Sequence, residues 1–375
     1  MYTKHLFAQF SWASFEESPF MEDHMKIGII AANNIRYSPY IFFYTELLKE
    51  HHIDYELIIP DRNDVTDTFD SVVHILPWNR QQKTAVNYAV YARAVIQVVK
   101  QQAYDALIVL TSVNAAYLGL WLKKHYRGKY IVDIRDYTHE NIYPYFVLQS
   151  IAVRNSLMNI ISSRKFTDFL PNAFYSVCHN YNKTEAATVK ASFQKSCKPI
   201  TIGYVGALSY VDQCKKLMDL IATDSRFILE FYGSSDQENL LKEYAATLSC
   251  DSIHFHGAYI PSEKGAIVQS VDILFNAYGN GVPLLDCALS NKLYDALIYK
   301  KPILTSPNTF MTEMAGPLAF PADLPYMKSL DPLYEWYTRL DADSLTNFAD
   351  RAMEKIRQEN EATLYDIAEK LSSIA

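Results

Sequence analysis

The stretch Cys287–Leu304, CALSNKLYDALIYKKPIL, decides how the chain is read. Ser290-Asn291-Lys292 opens a short amphipathic helix over 291–299, and the run KPILTS (301–306) follows as a strand. Immediately upstream, NAYGNGVPLLD (276–286) carries two glycines and a proline, the composition of a loop. A lysine at a helix N-terminus faces the positive end of the macrodipole, an unfavourable place for a cation. An anion bound at the free N–H groups of that terminus would resolve the conflict. The plainer alternative makes Ser290 an N-cap and pairs Lys292 with Asp295 on the helix surface.

On both sides of this stretch, short apolar strands alternate with helical patterns, which implies βαβ units and a parallel sheet. The first half reads as strands at 26–32, 54–60, 106–112 and 129–136, with helices at 39–51, 85–102 and 115–126. After a helical and polar stretch at 141–198 the alternation restarts. Strands are expected at 199–208, 227–235, 252–259 and 272–278, with helices at 215–223, 238–249 and 262–271. The tail 344–372 reads as helix. The expected fold is therefore α/β with two Rossmann-like, doubly wound domains facing a central cleft. The boundaries are an N-terminal extension at 1–24, a first domain at 25–180, a linker at 181–198, a second domain at 199–345 and a C-terminal helix at 346–375.

Composition narrows the function classes. With 375 residues, two or three domains are expected, and a net charge of −7 argues against a nucleic-acid partner. The five cysteines form no C-x-x-C pair and read as reduced thiols. Residues 1–24 hold no signal-peptide core, and the apolar window 103–122 is broken by Asp105 and a Thr-Ser-Val-Asn run, so no membrane span is expected.

Ligands of parallel sheets lie beyond the carboxyl ends of the strands. In the second half, Gly203-Tyr-Val-Gly206 ends a strand in a glycine turn where a phosphate could approach the backbone, although taken alone the motif is better explained as a tight turn. Lys215-Lys216 then open the next helix, within reach of that turn or on a solvated face. Asp295 shares a helix face with Lys292 and suits the hydrogen bonds of a ribose diol. In the first half, IVDIRDYTHE (131–140) ends a strand in Asp133-Ile-Arg135-Asp136. These charges either face the cleft or pair with each other.

The succession of a G-x-V-G turn, a basic pair, x-D-I-x-x-N, S-N-K-L-Y-D-A-L and K-P-I-L resembles the C-terminal domain of family 4 glycosyltransferases, in their bacterial capsular and exopolysaccharide branch. The resemblance runs from about residue 25 to 320 and is strongest at 290–304. It implies retaining, GT-B-fold enzymes with nucleotide-sugar donors. On it, Ser290, Asn291 and Lys292 bind the donor diphosphate and Asp295 the ribose, with Gly206, Lys215 and Lys216 nearby. Asp136, His139 and Lys292 are the expected catalytic residues, and Asn33, Asn34 and Arg135 lie on the acceptor side. Where relatives carry a first glutamate this chain has Cys287, and either the backbone N–H groups of the upstream loop GNGVPLLD or Asp286 would take its place. No metal or cofactor is expected, since Lys292, Lys215 or Lys216 and the helix N-terminus can stabilise the departing diphosphate, and Asp341-Ala-Asp343 reads as an N-cap region.

The expected acceptor is a glycan or lipid-linked saccharide, and the expected place is cytoplasmic. The segment 141–166 either touches a membrane surface or packs as core through Phe146, Ile151, Leu157 and Ile160; its sparse Lys/Arg content favours core. The alternatives are a nucleotide-sugar epimerase of the same fold and a non-catalytic sugar-nucleotide-binding protein. Oligomeric state is open.

Overall fold

A computed structural model describes residues 25–35, 38–62, 69–195 and 199–374. The extension 1–24 and the last residues of the linker at 196–198 lie outside the described residues.

The first sheet contains β1 (Lys26–Ile30), β2 (Asp54–Pro60), β3 (Val73–Leu76), β4 (Ala106–Leu110), β5 (Tyr130–Ile134), β6 (Met158–Ile161) and β7 (Ser176–Val177). Its order is β3-β2-β1-β4-β5-β6-β7, and every pairing is parallel. Helices α1 (Ile41–Glu50), α2 (Thr84–Gln102), α3 (Ser112–His125) and α4 (Tyr143–Asn155) connect it. The uninterrupted ALIVL and YIVDI runs become central strands because helices cover both faces of the sheet, leaving every residue of β4 and β5 buried.

After α5 (Lys183–Thr188) the second sheet begins with β8 (Ile200–Val205), followed by β9 (Phe227–Tyr232), β10 (Ile253–Gly257), β11 (Ile273–Asn276), β12 (Ile303–Thr305) and β13 (Ala319–Pro321). Its order is β10-β9-β8-β11-β12-β13, again all parallel. Here the helices are α6 (Val211–Ile221), α7 (Glu238–Thr247), α8 (Lys264–Ser270), α9 (Pro283–Cys287), α10 (Asn291–Tyr299) and α11 (Phe310–Ala315). The chain ends with α12 (Asp331–Arg339) and α13 (Ala342–Ser372). Asp341 caps α13 by accepting from the Ser344 N–H at 2.8 Å, the role expected for it.

Two expectations are corrected. The stretch 141–166 is not one helix: α4 ends at Asn155, and Met158–Ile161 pairs with β5 as strand β6. A four-residue apolar run such as MNII is too short for its periodicity to separate helix from strand. The second correction concerns α6, which starts at Val211 rather than Lys215, so the two lysines lie a full turn inside it.

In both sheets the order in which strands are added reverses beside the first strand, between β1 and β4 and between β8 and β11. Such switch points open a crevice at the carboxyl ends of the strands. Several contacts tie the domains together around it. Along α13, Leu345, Ala349 and Ile356 join the core of the second domain, whereas Ile367 and Leu371 enter the core of the first beside Ile27 and Leu57. His179, just after β7, bonds through Nδ1 to the Tyr294 hydroxyl of α10 at 3.0 Å and through Nε2 to Glu359 of α13 at 2.8 Å. Ser163 Oγ donates to the carbonyl of Cys287, whose side chain is buried in the first core.

Candidate functional site

The second-domain side of the crevice is built on glycine. Gly206, directly after β8, holds φ +128°, and Gly233, directly after β9, holds φ +131°, values that L side chains rarely adopt. A Cβ on Gly233 would stand 2.0 Å from the Gly206 carbonyl oxygen, so the two turns meet backbone to backbone. The expected glycine turn is present, and it is braced by a second one.

Lys292 reaches this turn from α10. Helical Cβ atoms tilt toward the N-terminus, which carries the side chain back toward the carboxyl ends of β8 and β11. A Cβ built on Gly206 would lie 3.5 Å from Lys292 Nζ. The ammonium donates to the Tyr278 hydroxyl at 2.5 Å and stands 4.8 Å from the Tyr204 ring centroid and 5.3 Å from that of Tyr278. Aromatic faces attract a cation without neutralising it. Among the described residues no carboxylate forms a salt bridge with Lys292. Only 8% of the residue is exposed, and burial pushes its pKa down to about 8, with the charge of Asp295 partly opposing the shift.

Asp295 is buried as well, and its Oδ1 accepts from Lys264 Nζ of α8 at 2.5 Å. Burial raises its pKa while Lys264 opposes the rise. The surface ion pair between Lys292 and Asp295 is thus absent: both residues are inside, and Lys264 takes the carboxylate. Sequence reasoning missed Lys264, whose only signal was a polar helix start. Ser290 is the N-cap, with its hydroxyl accepting from the Lys292 N–H at 3.3 Å. Asn291 is exposed at the tip of α10, where its Oδ1 accepts from Asn180 of the other domain at 3.2 Å. Asp286 closes its own loop by accepting from the Gly281 N–H at 2.8 Å. Lys215 and Lys216 are not part of this group. The Lys215 ammonium lies over the Tyr244 ring of α7, 4.9 Å from its centroid, and Lys216 is exposed on α6.

On the first-domain side, the charges after β5 divide. Arg135 is buried; its Nη2 donates to Asp133 Oδ2 at 2.7 Å and its Nη1 to the Cys178 carbonyl at 2.7 Å. Tyr44 donates to the same Asp133 oxygen at 2.6 Å. Arg135 therefore follows the ion-pair reading and locks β5 to the chain after β7. Asp136, the next residue, is exposed. Desolvation by the surrounding walls raises its carboxyl pKa, Arg135 opposes the rise, and Glu140 adds to it. Burial raises the Tyr210 phenol, and the Asp136 charge adds to the rise. Tyr210 begins α6 and stacks on Tyr278 at 4.1 Å and 13°. Tyr210, Tyr278 and Lys292 thus form a continuous group on the second-domain side of the crevice.

His139 is exposed, edge-on to the Tyr145 ring at 5.6 Å, and Tyr145 bonds Ser112 at 2.8 Å. Beside them Thr111 holds φ +78° and ψ 149°, a strained backbone for a β-branched residue. Asn34 is buried and accepts from the Arg62 N–H at 3.3 Å, while Asn33 lines a neighbouring cavity. Among the described residues no group of three or more His, Cys, Asp or Glu side chains is placed to hold a metal ion. Nor is any described helix long and apolar enough to cross a membrane.

No protein-family profile and no curated protein sequence matches the chain. Solved structures do. A sucrose-phosphate synthase from Thermosynechococcus elongatus superposes with a TM-score of 0.67 at 13% identity, covering 94% of this chain and 99% of its own. The Anabaena protein HepE, in complex with UDP and glucose, gives 0.64 at 14% identity over 93% and 100% of the two chains. The lipopolysaccharide outer core galactosyltransferase WaaB, in its apo form, gives 0.62 at 15% identity over 94% and 100%. The chain shares the two-domain GT-B architecture with these proteins.

Proposed function

We propose that the protein is a glycosyltransferase that moves a sugar from a nucleotide-sugar donor to a saccharide acceptor. The observation that carries this reading is the placement of Lys292. Its ammonium is buried without a carboxylate, beside the Gly206 turn and close to the N-terminus of α10, at the switch point of the second sheet. A diphosphate is the ligand such a place suits: backbone N–H groups and the dipole accept its charge, and the lysine adds a full unit. Asp295 and Lys264 then lie one helical turn away, on the side where the nucleoside ribose would extend. The UDP bound by HepE, a protein of the same architecture, supports UDP as the first donor nucleotide to test.

In this reading the acceptor enters from the first domain, past Asp136 and His139. Lys292 and the helix N-terminus stabilise the departing diphosphate, a preorganised electrostatic contribution that needs no metal. Asp136 faces the reacting centre and orients the acceptor hydroxyl. Arg135 acts by holding β5 in place. We further propose retention of anomeric configuration and a role in surface-polysaccharide synthesis in the cytoplasm, from the family resemblance at 290–304. The exposed Ile142 and Tyr143 at the start of α4 would then meet a lipid-linked acceptor at the inner membrane face. Lys215 and Lys216 have no part in donor binding.

Calorimetric titration with UDP and with GDP, on wild type and Lys292→Ala, tests the donor site. One nucleotide should bind, and the variant should lose about 1–3 kcal/mol, the size of a charge-assisted contact. Equal binding to both proteins would remove Lys292 from the site. Turnover with sugars of the bound nucleotide, and the anomeric configuration of the product, then separate a retaining transferase from an epimerase.

A further inference from the structure

Helices α3 and α4 lie side by side over the first sheet, where Leu118, Leu122, Ala152 and Val153 enter one core. They meet at Gly119, where an added Cβ would stand 2.6 Å from the Leu148 carbonyl oxygen and 3.4 Å from the Ala152 Cβ. So close a contact merges their outer sides into one surface. Leu120, Tyr143 and Val147 stand on it, with Leu120 61% and Tyr143 78% exposed. Tyr143, Val147 and Arg154 share a side of α4 at helical spacing, as Leu120, Lys123 and Lys124 do on α3.

The same surface is free of acid. The 14 residues of α3 and the 13 of α4 include no aspartate or glutamate, in a chain that carries 42. Lys123, Lys124, Arg154 and, just after α3, Arg127 and Lys129 are all exposed, and among the described residues none of them forms a salt bridge. The carboxylates next to these helices in sequence are engaged elsewhere. Asp105 accepts from the Lys26 N–H at 2.8 Å, Asp133 from Arg135 at 2.7 Å and Glu140 from the Thr138 N–H at 2.5 Å, while Asp168 pairs with Lys165 at 3.4 Å. In a protein of net charge −7, unpaired cations around an apolar face complement a partner that is both anionic and apolar.

We propose that this face docks on an anionic lipid bilayer. Leu120, Tyr143 and Val147 enter the headgroup region, and the lysines and arginines meet lipid phosphates. A soluble anion would use the charge and leave the apolar side chains without a role; an apolar protein surface would not call for cations without acids. Helix α4 alone holds a single arginine, and α3, which folding sets beside it, supplies the remaining charge. Because Tyr143 opens α4 directly after the Asp136–Glu140 loop, docking turns the first-domain mouth of the crevice toward the bilayer. The proposal widens the contact of Ile142 and Tyr143 with a lipid-linked acceptor into a whole face, and it stands whether or not the chain transfers a sugar.

Sedimentation of the full chain with vesicles tests this, using phosphatidylcholine alone and three parts of it to one of phosphatidylglycerol, with UDP titrated in parallel. Binding should be tenfold or more tighter to the anionic vesicles and should weaken in high salt. Lys123→Glu combined with Lys124→Glu should weaken it at least tenfold. Leu120→Gln combined with Val147→Gln keeps every charge and should still weaken it several-fold. All four side chains are exposed, so the thermal midpoint and the UDP affinity of both variants should match wild type. The proposal is overturned if the anionic vesicles do not bind, if neutral vesicles bind as tightly, or if either variant binds as wild type does. A loss confined to the charge variant would mean that the face attracts any polyanion rather than a bilayer. Absence of UDP binding alone would count against the transferase reading and leave the docking face standing.

Discussion

The buried ammonium of Lys292 makes donor binding depend on pH in a way that can be calculated. Burial holds its pKa at about 8, below the ordinary lysine value. The unfolded chain keeps its proton to about pH 10.4, so the folded protein binds fewer protons between those limits, and this group's contribution to stability rises with pH across the window. Nucleotide binding has the opposite sign. A diphosphate beside Lys292 favours the charged form, so the complex holds a proton that half the free protein lacks at pH 8. Titration of UDP at that pH should take up about 0.5 proton, at pH 6.5 almost none, and the apparent affinity should fall about tenfold per pH unit well above 8. Calorimetry in two buffers of different ionisation enthalpy reads the uptake directly. Lys292→Met, which keeps the length and loses the charge, should abolish the uptake at pH 8. The same uptake in that variant, or none in wild type, would refute the assignment of the diphosphate to Lys292.

Two further outcomes test the scaffold around the crevice. Gly233→Ala should destabilise the protein by about 3 kcal/mol or more, because the new Cβ meets the Gly206 carbonyl while the backbone stays at a positive φ; an unchanged denaturation midpoint would mean that the two turns are not in contact. Ile367→Ala removes a fully buried side chain by which α13 enters the first-domain core, and should cost about 2–5 kcal/mol in chemical denaturation. A cost under about 1 kcal/mol would show that the end of α13 is not docked there.

The fold was legible where periodicity had room to show. The helix opened by Ser290 was read over 291–299, and α10 spans those residues, because a cap, an apolar stripe and a strand-like KPIL run agree there. Strands β3, β7 and β13 escaped notice, since four, two and three residues cannot display alternation. The site was legible in part. Lys292 stood out because a lysine is costly where it stands, but its aromatic cradle could not be read locally. Tyr204 belongs to β8 and Tyr278 follows β11, and only the pairing of those strands brings both to one lysine. The run Asp133-Ile-Arg135-Asp136 left two readings open for the same reason. Tyr44 and the Cys178 carbonyl, distant in sequence, draw Asp133 and Arg135 inward and leave Asp136 to the crevice.

The way Asp295 is paired explains why Lys292 can exchange partners at all. Lys292 and Asp295 are both buried on α10, and the carboxylate is held by the partly exposed Lys264. Had Asp295 paired with Lys292, an incoming diphosphate would have to displace it and leave a buried carboxylate without a partner, a loss of several kcal/mol. Instead Lys292 rests on a neutral phenol and two aromatic faces. Replacing the Tyr278 hydroxyl by a phosphate oxygen strands no charge, and it supplies the ammonium with the counter-charge that its burial lacks. The same argument predicts the effect of Asp295→Asn. That variant leaves Lys264 without its carboxylate and creates a second unpaired cation beside the first, so it should depress the Lys292 pKa further and move the half-point of proton uptake on UDP binding below pH 8.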